Sequence, residues 1–266
     1  MTASLPSTVQ AVFDRFITTE LTTVDRHGQP ITWPVTPYYE PGAPCIDATT
    51  GLGYPKKAND ARANPLVAML FSDSTGCGLE RPPMVLVQGT ADVDDRDLDA
   101  NQARYARESV EKLPAIAKLL PPTPLRRFLA WYFARIYIHV RPERVYAWPD
   151  GDPGREPELY GSHMDKVRAG HSQEPDRFHA SPGGGLSSWH SRIAELGTRY
   201  RTAVLSIVCP DGFPFAIRAR VGVVLVPRKV VGGFEAPPSR IGMLRANAAK
   251  AWRFRKTAKR ELARRS

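Results

Sequence analysis

The sequence predicts a mainly β fold with flanking helices, in which a barrel is followed by an abbreviated second barrel-like unit. Three observations carry this. The densest apolar runs are strand-sized, as in Met84 to Val87 and Val221 to Val226. Two early runs, Leu21 to Val24 and Ile31 to Tyr39, are joined by Asp25-Arg26-His27-Gly28, whose glycine supplies the positive φ of a hairpin turn. The chain then partly repeats itself. Leu205-Ser206-Ile207-Val208 mirrors Leu21-Thr22-Thr23-Val24, and Pro210-Asp211-Gly212-Phe213-Pro214 mirrors Arg26-His27-Gly28-Gln29-Pro30.

The elements follow in order. Ser7 and Gln10 have the spacing of a capping box, and Val9, Val12, Phe13, Phe16 and Ile17 recur at helical spacing after it. The hairpin comes next, and then a third strand over Cys45 to Ala48. It leads into Thr49-Thr50-Gly51-Leu52-Gly53 and a short helix, with Pro55 in its first turn and Asn64-Pro65 as its stop. Leu66 to Phe71 reads as a buried strand, and Met84 to Val93 as another around Gly89. Residues 95–120 are helical in pattern until Pro121-Pro122, and a second helical piece covers Leu125 to Tyr132. Ile136 to Trp148 is rich in β-branched and aromatic residues and reads as a strand.

Residues 149–184 turn to Pro, Gly, Asp, Glu and His and read as a linker or surface excursion. Gly161-Ser162-His163-Met164 looks like a cloning scar, but its place in mid-chain makes coincidence the better explanation. The division is therefore a barrel at 1–148, the linker at 149–184, a degenerate second unit at 185–240 and a basic helix at 241–266. The second unit has too few strands to close a barrel, so it is expected to pack on the first or on a partner chain.

The net charge of +10 is concentrated in the tail: residues 241–266 hold nine Lys or Arg and one Glu, leaving the rest near neutral. That distribution argues against specific nucleic-acid recognition by a folded face. Leu244, Ala248, Ala251, Trp252 and Leu262 sit at near-helical spacing within it, which reads as a basic helix packed on the barrel or solvated, with binding to RNA, to an acidic partner or to membrane phospholipid as the minority alternative. Met1 to Thr8 lacks the pattern of a secretory signal, and no apolar run approaches the roughly 18 residues of a membrane span. Cys45, Cys77 and Cys209 form no C-x-x-C pair, so neither a disulfide framework nor a zinc site is expected, and a reducing cytoplasm is the simplest compartment. His163 and His171 lack tight ligand spacing, His190 reads as a helix-surface residue, and no metal is expected.

One stretch carries chemistry. In Ile46-Asp47-Ala48-Thr49-Thr50-Gly51-Leu52-Gly53-Tyr54-Pro55-Lys56-Lys57-Ala58 a strand ends in two hydroxyls, and a helix then opens on two lysines. Cations at a helix N-terminus oppose the macrodipole. An anion held by backbone N–H groups, Thr hydroxyls and the lysines resolves the conflict. The plain alternative is two solvated surface lysines after a polar turn.

The order of motifs tips the balance: hairpin, Thr-Thr, Lys-Lys-Ala, Asn64-Pro65-Leu66-Val67-Ala68-Met69-Leu70-Phe71, then Met84-Val85-Leu86-Val87-Gln88-Gly89-Thr90-Ala91. This order, together with Arg141-Pro142-Glu143-Arg144-Val145-Tyr146-Ala147-Trp148, resembles the pyridoxamine 5′-phosphate oxidase-like superfamily of split β-barrels over residues 12–148. The resemblance implies an FMN-binding split barrel, with coenzyme F-420, a deazaflavin, as the alternative cofactor. It implies that Thr49, Thr50, Lys56 and Lys57 hold the cofactor phosphate and that Trp33, Pro34, Val35 and Thr36 lie along the flavin ring. Phe71, Ser72 and Gln88 would form the rim. It further implies a homodimer and a cytoplasmic oxidoreductase moving hydride to or from a small organic molecule. A flavin- or haem-binding module for storage, sensing or scaffolding is the rival. Trp148 is followed by Pro149-Asp150-Gly151-Asp152-Pro153 in place of the family's Arg-Leu-His-type motif, so pyridoxamine 5′-phosphate is not expected to be a good substrate. The cofactor would supply the redox chemistry, and no side chain is assigned as catalytic.

Overall fold

In the computed structural model, which describes residues 5–118, 130–161, 199–220 and 240–264, the first hairpin forms as its turn residues require. β1 (Thr19–Val24) pairs antiparallel with β2 (Pro30–Val35). Gly28 adopts φ 72°, while Asp25 caps the turn by accepting from the backbone N–H groups of His27 and Gln29. β3 (Ile46–Gly51), α2 (Lys56–Ala63), β4 (Leu66–Phe71) and β5 (Met84–Asp94) follow. Next come α3 (Leu98–Lys112), the short α4 (Ala130–Phe133), β6 (Arg135–Trp148) and β7 (Glu158–Gly161).

The sheet order is β2-β1-β4-β5-β6-β3, antiparallel throughout, with β7 on the far half of β6. Past the end of β2, Tyr38 exchanges two 2.8 Å backbone hydrogen bonds with Asp47 on β3. That bridge brings the two ends of the order together and closes the ring. β6 is long enough to serve β3 with its first half, β7 with its second and β5 along most of its length. A register shift at Gln88/Gly89 accommodates this span. A Cβ on Gly89 would stand 2.1 Å from the Arg141 carbonyl oxygen, so only glycine fits there.

The continuous apolar runs of β4 and β5 arise because both faces are covered. Val67, Met69, Phe71, Val85 and Val87 point into the barrel, where Phe13 and Phe16 of α1 (Ser7–Arg15) pack on Phe71 at ring distances of 5.2 and 6.0 Å. Ala68, Leu70, Met84 and Leu86 point outward, into a second core with Trp148 and Ala216. Ala216 belongs to a separate hairpin, β8 (Thr202–Val208) and β9 (Pro214–Arg220), that lies on this outer face. Its turn repeats the first hairpin's pattern. Cys209 N–H donates to Phe213, Gly212 N–H donates to Cys209, and Gly212 has φ 87°, as Asp25, Gln29 and Gly28 do in the first.

Four polar contacts fix the hairpin. The Gln88 amide donates to the Pro214 carbonyl at 3.0 Å, Arg144 pairs with Asp211, and Arg218 bonds both Glu20 and Ser72. Among the described residues the second unit contributes these two strands.

Several local expectations change. Ser7 opens α1 as its first residue behind Pro6, so no capping box forms; Gln10 instead donates to the Leu5 carbonyl at 2.8 Å. β3 runs to Gly51 because Thr49 and Thr50 pair with Tyr137 and Ile136. α3 starts after Asp97, whose carboxylate caps it, and ends before Pro114 rather than near 120. Within the stretch read as linker, Glu158–Gly161 forms β7. The expectations for residues 119–129, His163, His171, His190 and Val221 to Val226 lie outside the described residues, as do the side chains of Leu244 and Ala248. No described helix is long and apolar enough to cross a membrane.

Candidate functional site

The pleat of β3 sends Thr49 and Thr50 to opposite faces. Thr49 shares a face with Tyr137, beneath α3, which is anchored there by Arg104 to Asp47 and by the Tyr137 hydroxyl donating to Glu108 at 2.7 Å. Thr50 turns inward and is almost wholly buried. Its hydroxyl donates to the Tyr54 carbonyl at 2.7 Å, and the same oxygen accepts from Lys57 Nζ at 3.0 Å.

The two lysines part company on α2. Lys56 reaches down its own helix to Asp60, 2.8 and 2.9 Å from its carboxylate oxygens, with Asp60 also accepting from Thr23. Its charge is thus met by an i,i+4 pair that the sequence reading did not weigh. Lys57 points the other way, toward Thr50, with its ammonium 5.4 Å from the centre of the Trp33 ring. Burial, reinforced by the positive charge of Arg135, pushes that ammonium down to about 8.

Arg135 was not among the residues picked from the sequence. It opens β6 opposite Gly51, one step from Thr50, and is more than nine-tenths buried. Its guanidinium lies over Tyr105 of α3 at 3.8 Å and over Tyr132 of α4 at 4.5 Å, and its Nε has no hydrogen-bond partner. The Trp33 Nε1 is also buried without a partner. Among the described residues no carboxylate pairs with Lys57 or Arg135. The signal available in the sequence was a lone cation inside the apolar and aromatic run Trp131 to Ile138.

The structure thus brings Trp33, Thr50 and Lys57 together with Arg135. Pro34 is exposed, Val35 faces the core and Thr36 is half-buried beyond the end of β2. Phe71 belongs to the barrel core, while Ser72 and Gln88 hold the β8–β9 hairpin.

The donor set fits an anion. A buried arginine and a half-buried lysine with unused N–H donors, and with no acid paired to either among the described residues, lack only a negative group with several acceptor oxygens, such as a phosphate monoester. The described residues contain no group of three or more His, Cys, Asp or Glu that could hold a metal ion.

No family model and no curated protein matches the chain. Solved structures do. An F-420 reductase is 22% identical, covering 53% of this chain and 98% of its own, with a TM-score of 0.39. Solved proteins of the pyridoxamine 5′-phosphate oxidase family are its structural neighbours. One is a relative of general stress protein 26 from Clostridium acetobutylicum, described as of the pyridoxine phosphate oxidase family; it is 9% identical, covers 59% of this chain and 93% of its own, and has a TM-score of 0.38. A haem storage protein from Vibrio cholerae is 14% identical, covering 55% of this chain and 96% of its own, with a TM-score of 0.38.

Proposed function

We propose that the chain binds a phosphorylated flavin-type cofactor, FMN or coenzyme F-420, and acts as an oxidoreductase moving hydride to or from a small organic molecule. The observation that carries this is the meeting of Lys57 and Arg135 at the end of β3, beside the Thr50 hydroxyl and with no carboxylate paired to either among the described residues. Lys57, Arg135 and Thr50 would hold the phosphate, and Trp33 would flank it. When bound, the flavin or deazaflavin ring supplies a hydride acceptor and donor. The chain's own share is to fix the phosphate and shield its charge from water, where each ionic hydrogen bond is strengthened.

Titration with FMN, F-420 and riboflavin tests the reading. Riboflavin lacks the phosphate, so its affinity is expected to fall short of that of FMN by at least about tenfold, the worth of one charged hydrogen bond. Equal affinity for riboflavin and FMN would remove the phosphate assignment. If neither FMN nor F-420 binds, the function falls with it.

Affinity for FMN is also expected to depend on pH above neutrality. Free Lys57 loses its proton near 8, and a bound dianion favours the charged lysine. Binding is therefore full-strength below pH 8 and weakens by up to about tenfold per pH unit above it, until the lysine of the complex also titrates. A flat profile between pH 7 and about 9.5 would show that Lys57 does not meet the phosphate.

A further inference from the structure

The C-terminal helix α5 (Arg240–Ala263) divides into a docked line and an outward face over residues 251–264. Ala251, Phe254, Ala258 and Glu261 recur at helical spacing and are buried or half-buried, with the Phe254 ring 3.8 Å from that of Tyr54. Apart from Thr257, which is also half-buried, every other residue of these turns is exposed. The exposed residues include Arg253, Arg255, Lys256, Lys259, Arg260 and Arg264, and no acid stands among them. The one acid of the segment, Glu261, is on the docked line and accepts from Arg264 at 3.2 Å.

Trp252 is 75% exposed in the middle of this face. On a helical wheel Arg255, Lys256 and Lys259 fall within about 60° of it, so cations border the indole on the following turns. An indole left in water costs hydrophobic free energy, and Arg253, Lys256, Lys259 and Arg260, four exposed cations on about two turns, repel one another. Both costs vanish against a partner that offers regular negative charge together with flat aromatic rings.

We infer that this face is a docking surface for single-stranded nucleic acid, with phosphates along the cations and a base stacked on Trp252. Single-strand binders combine a positive track with an aromatic platform and need no sequence readout, which is what this face presents. A phospholipid surface fits less well. A helix lying in the headgroup region must turn an apolar face to the lipid. Here Ala251, Phe254 and Ala258 are committed to Tyr54 and the barrel core, and the outward face of residues 251–264 offers only Trp252 and Leu262 as large apolar side chains among its cations.

The full chain is titrated with a labelled oligothymidylate of about ten nucleotides, read by fluorescence anisotropy over a series of salt concentrations. Trp252→Ala is expected to weaken binding about tenfold or more, the worth of one stacked base. Lys256→Gln with Lys259→Gln is expected to weaken it further and to lower the slope of log affinity against log salt by about 1.4. Vesicles containing phosphatidylserine are expected to compete poorly. All substituted side chains are exposed, so the fold is retained. The proposal is overturned by failure of the intact chain to bind, by unaltered affinity of Trp252→Ala, or by stronger binding to the vesicles than to the oligonucleotide.

Discussion

Lys57→Met is expected to raise the melting temperature of the cofactor-free protein while weakening FMN binding at least about tenfold. The two effects share one cause. Holding a proton on Lys57 at pH 7, where its surroundings set the pKa at about 8 rather than 10.5, costs the folded chain about 3 kcal/mol. Methionine keeps most of the volume and removes the charge. The gain is reduced by the lost contacts to Thr50 and the Trp33 ring, leaving about 1–3 kcal/mol. The sign can be followed with pH. Below pH 8 the lysine is charged in both states and the cost is complete. Between about 8 and 10.5 the folded chain has released the proton that the unfolded chain still holds, so the difference between wild type and variant shrinks. Thermal melts with and without FMN at two pH values report both quantities. Lys56→Met is the control, because Lys56 is paired with Asp60 and more exposed. If Lys57→Met melted lower than wild type at pH 7, the strained cation pair would not exist.

The second large effect lies at the hairpin. Arg218→Ala is expected to release β8–β9 from the barrel at a cost of about 2–3 kcal/mol, because it takes the counter-charge from the buried Glu20 carboxylate, which keeps only the neutral hydrogen bond from Ser72 at 3.0 Å. Burial already raises the pKa of Glu20 despite Arg218, and losing the arginine drives it higher. A group with a raised folded-state pKa binds its proton more readily in the fold. The deficit is therefore greatest at neutral pH and shrinks as pH falls toward that pKa. Hydrogen exchange of the amides of residues 202–220 gives the readout. Glu20→Gln in the Arg218→Ala background is expected to restore part of the protection at pH 7. Unchanged protection in Arg218→Ala would mean that the apolar contacts beneath Ala216 hold the hairpin alone.

Much of this was legible in local sequence. The hairpin turn needed only Gly28 and Asp25, and the Asn64-Pro65 stop ended α2 where backbone sterics demand. Strand-sized apolar runs located β4 and β5, although not which residue faced which core. Lys57 was visible because a cation at a helix start breaks a local rule, and Thr50 because its hydroxyl ends the strand just before that helix. Arg135 was missed because a lone cation in an apolar and aromatic run does not by itself say what it faces; its character comes from Tyr105, Tyr132 and Lys57, contributed by three other elements. Ser72 and Gln88 were placed at the rim of the site, yet their partners Arg218 and Pro214 are remote in sequence and were invisible to a linear reading. β7 was lost among Pro and Gly residues because four residues of strand leave too little pattern to see.

The ring closes late. β3 must wait for β6 before it has its main-chain partner, and Thr50 meets Arg135 only through that pairing. During synthesis the N-terminal strands therefore emerge well before the chain that completes them, a long-range arrangement that folds slowly and leaves apolar edges open meanwhile. No partly assembled form can offer the complete cation site to a ligand. A phosphorylated cofactor present during translation would thus act only on the finished ring, capturing each molecule at the moment of closure. It would raise the yield of native protein without speeding the steps before it.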